Sequence, residues 1–200
     1  MSESLWRQWL IEAYVGADAI ALTPNRLRMA LQRDLPGATV EAPADPNQAW
    51  VVTVPGLAAA ASFALQALPV RPIPEVLLEQ SRAWPDAREI LAAHTAAWLL
   101  VPVGDQHLPR GECLRLRLGM IRALHDATGR GLLGLQGHAT QRLVSAQAFE
   151  DAHDAFRHHG PASVDGLERV VRDVLVNIRL VEFEGDEASD DDAQPAILLD

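Results

Sequence analysis

Lysine is missing from this 200-residue chain, and its 17 basic residues are all arginine. That absence excludes Schiff-base catalysis and the lysine of a Walker phosphate loop. Cysteine is almost missing as well: Cys113 stands alone, so an intramolecular disulfide and any multi-cysteine metal site are ruled out, which fits a reducing compartment. The chain also lacks a long apolar run. Its most membrane-like stretch, 54–70, is interrupted by Pro55, Gly56, Ser62, Gln66 and Pro69, whereas a spanning helix needs about 20 predominantly apolar residues. The stretch reads as core, and no membrane partner is expected. No charged leader followed by an apolar segment opens the chain, because Ser2, Glu3 and Ser4 lead into Leu5, Trp6, Trp9 and Leu10 at helical spacing. A cytoplasmic location follows as the expectation.

What is present supports one folded unit. A hydrophobic content of 48% over 200 residues suffices for one substantial core, expected as a single α/β domain over 1–184 with an N-terminal helix at 3–14. Residues 185–200 read as an acidic, flexible tail. The formal charge of -10 is concentrated from residue 182 on: Glu182, Glu184, Asp186, Glu187, Asp190, Asp191 and Asp192 hold seven of the 27 acids, and the other 20 face 17 arginines, a balance of -3. The arginines are scattered, without the cluster that tracks a nucleic-acid backbone, so no nucleic acid is expected. A basic protein is the partner that the acidic end would attract.

Punctuation along the chain gives the elements. Asp18 to Leu22 reads as a strand. Thr23 and Pro24 are an N-cap and first helical position for a helix to about Leu35, with Leu27, Ala30, Leu31 and Leu35 as its apolar stripe and Pro36-Gly37 as its stop. Thr39–Glu41 and Trp50–Val54 read as a hairpin, with Pro43, Asp45, Pro46 and Asn47 supplying the turn. Leu57, Ala61, Leu65 and Leu68 have helical spacing in an alanine-rich stretch, yet a strand from Ser62 to Leu68 is preferred on the resemblance given below. A helix from Glu75 must break near Trp84, since Pro85 restricts its predecessor and starts a second helix. Trp98–Val103 reads as a buried strand, Pro109–Thr128 as a helix ended by Gly129, and Gly131–Gly137 as a short strand. Ser145 caps a helix on which Phe149, Ala152, His153 and Phe156 share a face, and a short helix over 163–172 leads into a strand from Leu175 to Phe183. The expected class is α+β: a mixed sheet with a ferredoxin-like split βαβ start, extended by further helix–strand units.

The central block carries a resemblance. Pro72-Ile73-Pro74-Glu75, Trp84-Pro85-Asp86-Ala87, His94, Ala96 and Leu99-Leu100-Val101-Pro102-Val103 are similar to the bacterial family catalogued as domain of unknown function 4261. The resemblance covers 18–183 and implies a tryptophan-led helix, a histidine before a buried strand, then a long helix and another strand. It implies no catalytic residues. The family pattern ends in an acidic segment with tyrosine and glycine, from which Gly185 to Asp200 departs.

Candidate chemistry is sparse. His94, with Asp86 and His107, is the acid–base candidate of a small enzyme, and its plainer role is to end a helix and bond a carbonyl. Glu150 and His153 have the spacing of half a di-metal site, but no second pair matches them, so no metal or cofactor is expected. Asp154, His158 and His159 read as a solvated helix end. Cys113, beside Glu112, reads as buried, and Trp84 as a core anchor rather than a stacking platform. Gly129, Gly131, Gly134 and Gly137 end a helix and enter a strand, the reverse of a phosphate-binding context. Trp6 and Trp9 read as core cover or as an apolar patch, and Glu182, Glu184, Asp186 and Glu187 as a solubilising end or an electrostatic docking arm. The resulting expectation is a non-enzymatic protein-binding domain, with an immunity protein against a basic bacterial toxin as its form. A His/Asp enzyme and a structural subunit that self-associates as a homodimer through Trp6 and Trp9 are the alternatives.

Overall fold

Side chains alternate over Ile11-Glu12-Ala13-Tyr14-Val15, and that period of two belongs to a strand. In the computed structural model, which describes residues 10–159 apart from 46, 57–59, 82–83, 104–109 and 139–141, Ile11–Gly16 is strand β1 and is buried throughout. This corrects the helix expected over 3–14, at least for residues 11–14. It also displaces the strand expected at Asp18 to Leu22: that segment leaves a turn, closed by Ala19 N donating to Gly16 O, and runs on without regular structure, with Ile20 N donating to Thr128 O.

From there local signals hold. Helix α1 (Pro24–Asp34) is capped by Thr23, whose hydroxyl accepts from Arg26 N at 3.3 Å. Strands β2 (Thr39–Glu41) and β3 (Trp50–Val54) pair as the expected hairpin. β4 (Ala61–Leu68) is a strand in spite of its alanines, because Ala61, Phe63 and Leu65 turn into the core while it pairs with both β3 and β5. Two single-turn helices follow, α2 (Glu75–Gln80) and α3 (Ala87–Ala92), separated near Trp84-Pro85 as expected. β5 (His94–Val103) starts four residues before the expected Trp98.

Helix α4 (Arg110–Ala127) ends in a Schellman motif: Arg130 N donates to His125 O at 2.8 Å and Gly129 N to Asp126 O at 3.0 Å, with Gly129 at φ 68°. β6 (Leu132–Gly137) and β7 (Arg142–Ser145) form a second hairpin, whose later strand the sequence reading passed over. Ser145 Oγ then accepts from Ala148 N at 3.1 Å at the start of α5 (Ala146–His159). The helix and strand expected over 163–172 and 175–183, and the tail, lie outside the described residues.

The seven strands of the described residues run β2-β3-β4-β5-β1-β6-β7, and all six pairings are antiparallel. The α+β class therefore stands, while the sheet is antiparallel between neighbours instead of mixed. A ferredoxin-like start would set β3 between β1 and β2. Instead β3 lies between β2 and β4, because α1 carries the chain from the sheet centre to its far edge. β5 and β6 both run antiparallel to β1, hence parallel to each other, and α4 crosses between them: a split unit exists, built around β1.

One face of the sheet holds the main core. Ile11, Ala13, Val15, Val52, Phe63, Leu65, Leu100 and Leu135 meet α1, α4 and α5 through residues such as Leu27, Leu31, Leu118 and Phe149. Among the described residues the second face is covered only in part. There Tyr14, Ala97 and Leu143 pack against Leu77 of α2 and Ala87 and Leu91 of α3, with Trp84 at the margin. Among the described residues no helix is long and apolar enough to cross a membrane.

Candidate functional site

His94 sits directly after α3. Its Nδ1 lies 2.6 Å from Leu91 O, and its ring stands edge-on to Tyr14, with centroids 5.4 Å apart at 72°. The histidine thus ends a helix and bonds a carbonyl. Asp86 is exposed at the other end of α3, without a side-chain cap bond. A six-residue helix is about 9 Å long, so the two acid–base candidates are not brought together. His107, Trp6, Trp9, Glu182, Glu184, Asp186 and Glu187 lie outside the described residues, as does the side chain of Cys113 in α4. Trp84 is half-buried as an anchor: the edge of its indole lies so close to Gly134 that a Cβ there would come within 2.6 Å of it.

Glu150 is taken up by cations. Its Oε1 accepts from Arg130 Nη2 at 2.9 Å and lies 3.2 Å from Arg122 Nη1 and 3.4 Å from His125 Nε2. Among the described residues no group of three histidine, cysteine or carboxylate side chains is placed to hold a metal. His158 Nδ1 meets Asp154 O at 2.8 Å on an exposed helix end. His153 is buried against Phe149, and burial lowers its pKa below the ordinary imidazole value, with Asp34 and Asp154 pulling upward and Arg122 downward. Burial lowers His125 too, against the upward pull of Glu150.

Stability should therefore fall on acidification. Below about pH 6.5 the unfolded chain binds protons on these two rings that the folded chain refuses. His153→Leu removes one of the two, so its loss of unfolding free energy between pH 7.5 and pH 5.5, measured by urea titration, should be smaller than that of the wild type. An equal loss would contradict the assignment.

The sequence reading missed a polar group on the second face. Alternation on β1 sends Glu12 and Tyr14 to that side, and the pairing places Gln136 beside Glu12 and Gly134 beside Tyr14. Glu12 is only 1% exposed, in the middle of the sheet. Its Oε2 accepts from Arg71 Nη2 at 2.7 Å and lies 3.4 Å from His138 Nε2. Arg71 reaches in from the irregular segment between β4 and α2, just ahead of Pro72-Ile73-Pro74, and remains exposed. The Tyr14 hydroxyl donates to Gln136 Oε1 at 2.7 Å. Burial first, then the Glu12 charge and a hydrogen bond with Glu12, holds that phenol well above its usual range, with Arg71 acting in the opposite sense. Glu12 Oε1 and His94 Nε2 are buried without a hydrogen-bond partner among the described residues. The period-two run over 11–15 was the signal that could have revealed the group.

Beyond this group and the part under α2 and α3, no described residue covers the second face. Reading across the paired strands, one row is Thr39, Thr53, Ser62 and Val103, and the next is Glu41, Val51, Ala64 and Val101. None of these eight is buried, Val51 and Val103 are exposed large apolar residues, and Glu41 is the only ionised side chain among them.

Among the described residues, fold and site together define an α+β domain with an antiparallel seven-stranded sheet, α1, α4 and α5 over one face, and a second face divided between a part covered by α2 and α3, with a buried charged group, and an open part. No family model matches the chain, and no curated protein or solved structure matches it.

Proposed function

We propose that this chain is a non-enzymatic protein-binding domain whose partner is a basic protein, in the role of a cytoplasmic immunity protein that neutralises a bacterial toxin. Membership of the family of domain of unknown function 4261 belongs to the same reading. The observation that carries it is the bare half of the second face, where Val51 and Val103 lie exposed among threonine, serine and alanine side chains. Exposed apolar side chains set among small polar ones suit a contact surface. The choice of a basic partner rests on charge: the chain carries -10, and the lone ionised group on the open rows is an acid.

The test is to mix the purified chain with each protein encoded beside its gene. A stable complex with one of them is expected, and Val51→Arg should weaken it by at least about tenfold, since a charge buried at a contact without a partner costs more than about 1.4 kcal/mol. The same change should leave the melting temperature nearly unaltered, as surface substitutions do. No complex with any neighbour, or undiminished binding by Val51→Arg, would overturn the proposal.

A further inference from the structure

We propose that the open part of the second sheet face receives one amphipathic helix of the partner, apolar on its contact side and carrying a basic side chain opposite Glu41. This rests on the protein-binding reading and names the kind of element that the partner brings. A sheet takes up a partner either along an edge, as an added strand, or across a face. The edge beside this surface is blunted. β2 has only three residues, and the carbonyl of the middle one, Val40, already accepts from Arg28 Nη2 at 3.3 Å. An incoming strand would gain too short a ladder there to hold it.

The face itself suits an element whose backbone hydrogen bonds are already paired, and a helix is such an element. Val51 and Val103, 37% and 43% exposed, stand among Thr53, Ser62 and Ala64, and the Thr53 and Ser62 hydroxyls bond each other at 3.3 Å. The middle of the surface thus makes few demands for outside partners. Strands lie about 4.8 Å apart, so β2 to β5 spans about 14 Å, the length of a helix of about nine or ten residues. Short side chains on these strands let such a helix settle beside α2 and α3, which cover the adjoining part of the same face. Charge sets its polarity. From 35 to 70 the sequence holds no arginine, lysine or histidine, and its only ionised side chains are Glu41 and Asp45. Glu41 lies in one row with Val51, Ala64 and Val101, so a basic residue at the margin of the helix meets it.

The experiment is a titration of the isotope-labelled full chain with a synthetic peptide of about 14 residues, stapled as a helix, with leucine and alanine on one side and arginine at the margins. Saturable amide shifts over Val51, Thr53, Ser62, Ala64, Val101 and Val103 are expected. The same sequence unstapled and broken by a central proline should bind at least about tenfold more weakly, and a stapled version with glutamate for arginine a few-fold more weakly, about the worth of an exposed ion pair. Ala64→Arg should weaken the stapled arginine helix by about tenfold or more, its own spectrum reporting whether it is folded, with Val51→Arg as the second variant. Arg28→Ala, which uncovers Val40 O, should leave the binding unchanged. No saturable shift with the stapled arginine helix would overturn the proposal, as would equal binding of the broken peptide, undiminished binding to folded Ala64→Arg and Val51→Arg, or a response confined to Thr39–Glu41, which would mark an added strand. A neighbour complex that Val51→Arg weakens, beside an inert helix, would overturn this inference and leave the protein-binding reading standing.

Discussion

Gly131→Ala is expected to lower the unfolding free energy by about 3 kcal/mol, the upper part of the range for forcing atoms into a filled interior. Gly131 links α4 to β6 at the point where the turn after β1 crosses it. A Cβ built there would lie 2.2 Å from Ala19 Cβ and 2.6 Å from Ala19 Cα. The second of these is backbone, so no rotamer change relieves it. That backbone is itself held, since Ala19 N donates to Gly16 O, and Gly16 N donates to Gly131 O at 2.9 Å. Urea titration should show a lower midpoint with an unchanged slope. Ala19→Gly in the same chain should recover part of the loss, because it removes the clash with the Ala19 methyl group and leaves the one with the backbone. A variant as stable as the wild type would mean that the chain crossing between 16–20 and 128–131 is wrong.

Phe149→Ala should cost about 4 kcal/mol. The ring is fully buried in the main core, where α5 packs over β6 and β7. Truncation loses the transfer free energy of the ring and leaves a void that the surrounding leucines and alanines cannot fill. Set against the roughly 5–15 kcal/mol that holds an ordinary domain together, this removes a large fraction of the stability. Phe149→Leu should recover most of it, since only part of the volume is lost. A cost below about 1 kcal/mol for the alanine variant, well under the range for emptying a filled aromatic site, would show that α5 does not dock on the sheet as described.

How far the fold was legible follows from where each signal resides. The Thr23-Pro24 cap, the β2–β3 hairpin, the Gly129 stop and the Ser145 cap are local, and each was read correctly. His94 likewise did what a histidine after a short helix does with the last carbonyls. β1 carries a local period-two run, but Glu12 and Tyr14 spoil its apolar reading, and what makes them acceptable inside lies far along the chain: Arg71, 59 residues from Glu12, and Gln136, 122 residues from Tyr14. A helical spacing of tryptophans and leucines just upstream then captured the reading. β4 shows the same conflict resolved the other way, with alanine favouring helix locally and two neighbouring strands imposing an extended chain. β7, at four residues, is too short for alternation to declare itself. The polar group on the second face is assembled from β1, β6 and the β4–α2 segment, so the alternation on β1 could point to its side of the sheet but not to its partners.

Cross-saturation within the complex of this chain and its protein partner bears most directly on the bare sheet face as the contact surface. Irradiating the partner should attenuate the methyl signals of Val51 and Val103, while those of Met29 and Ile20, exposed in and beside α1, keep their intensity. Attenuation of Met29 and Ile20 with Val51 and Val103 untouched would contradict the account.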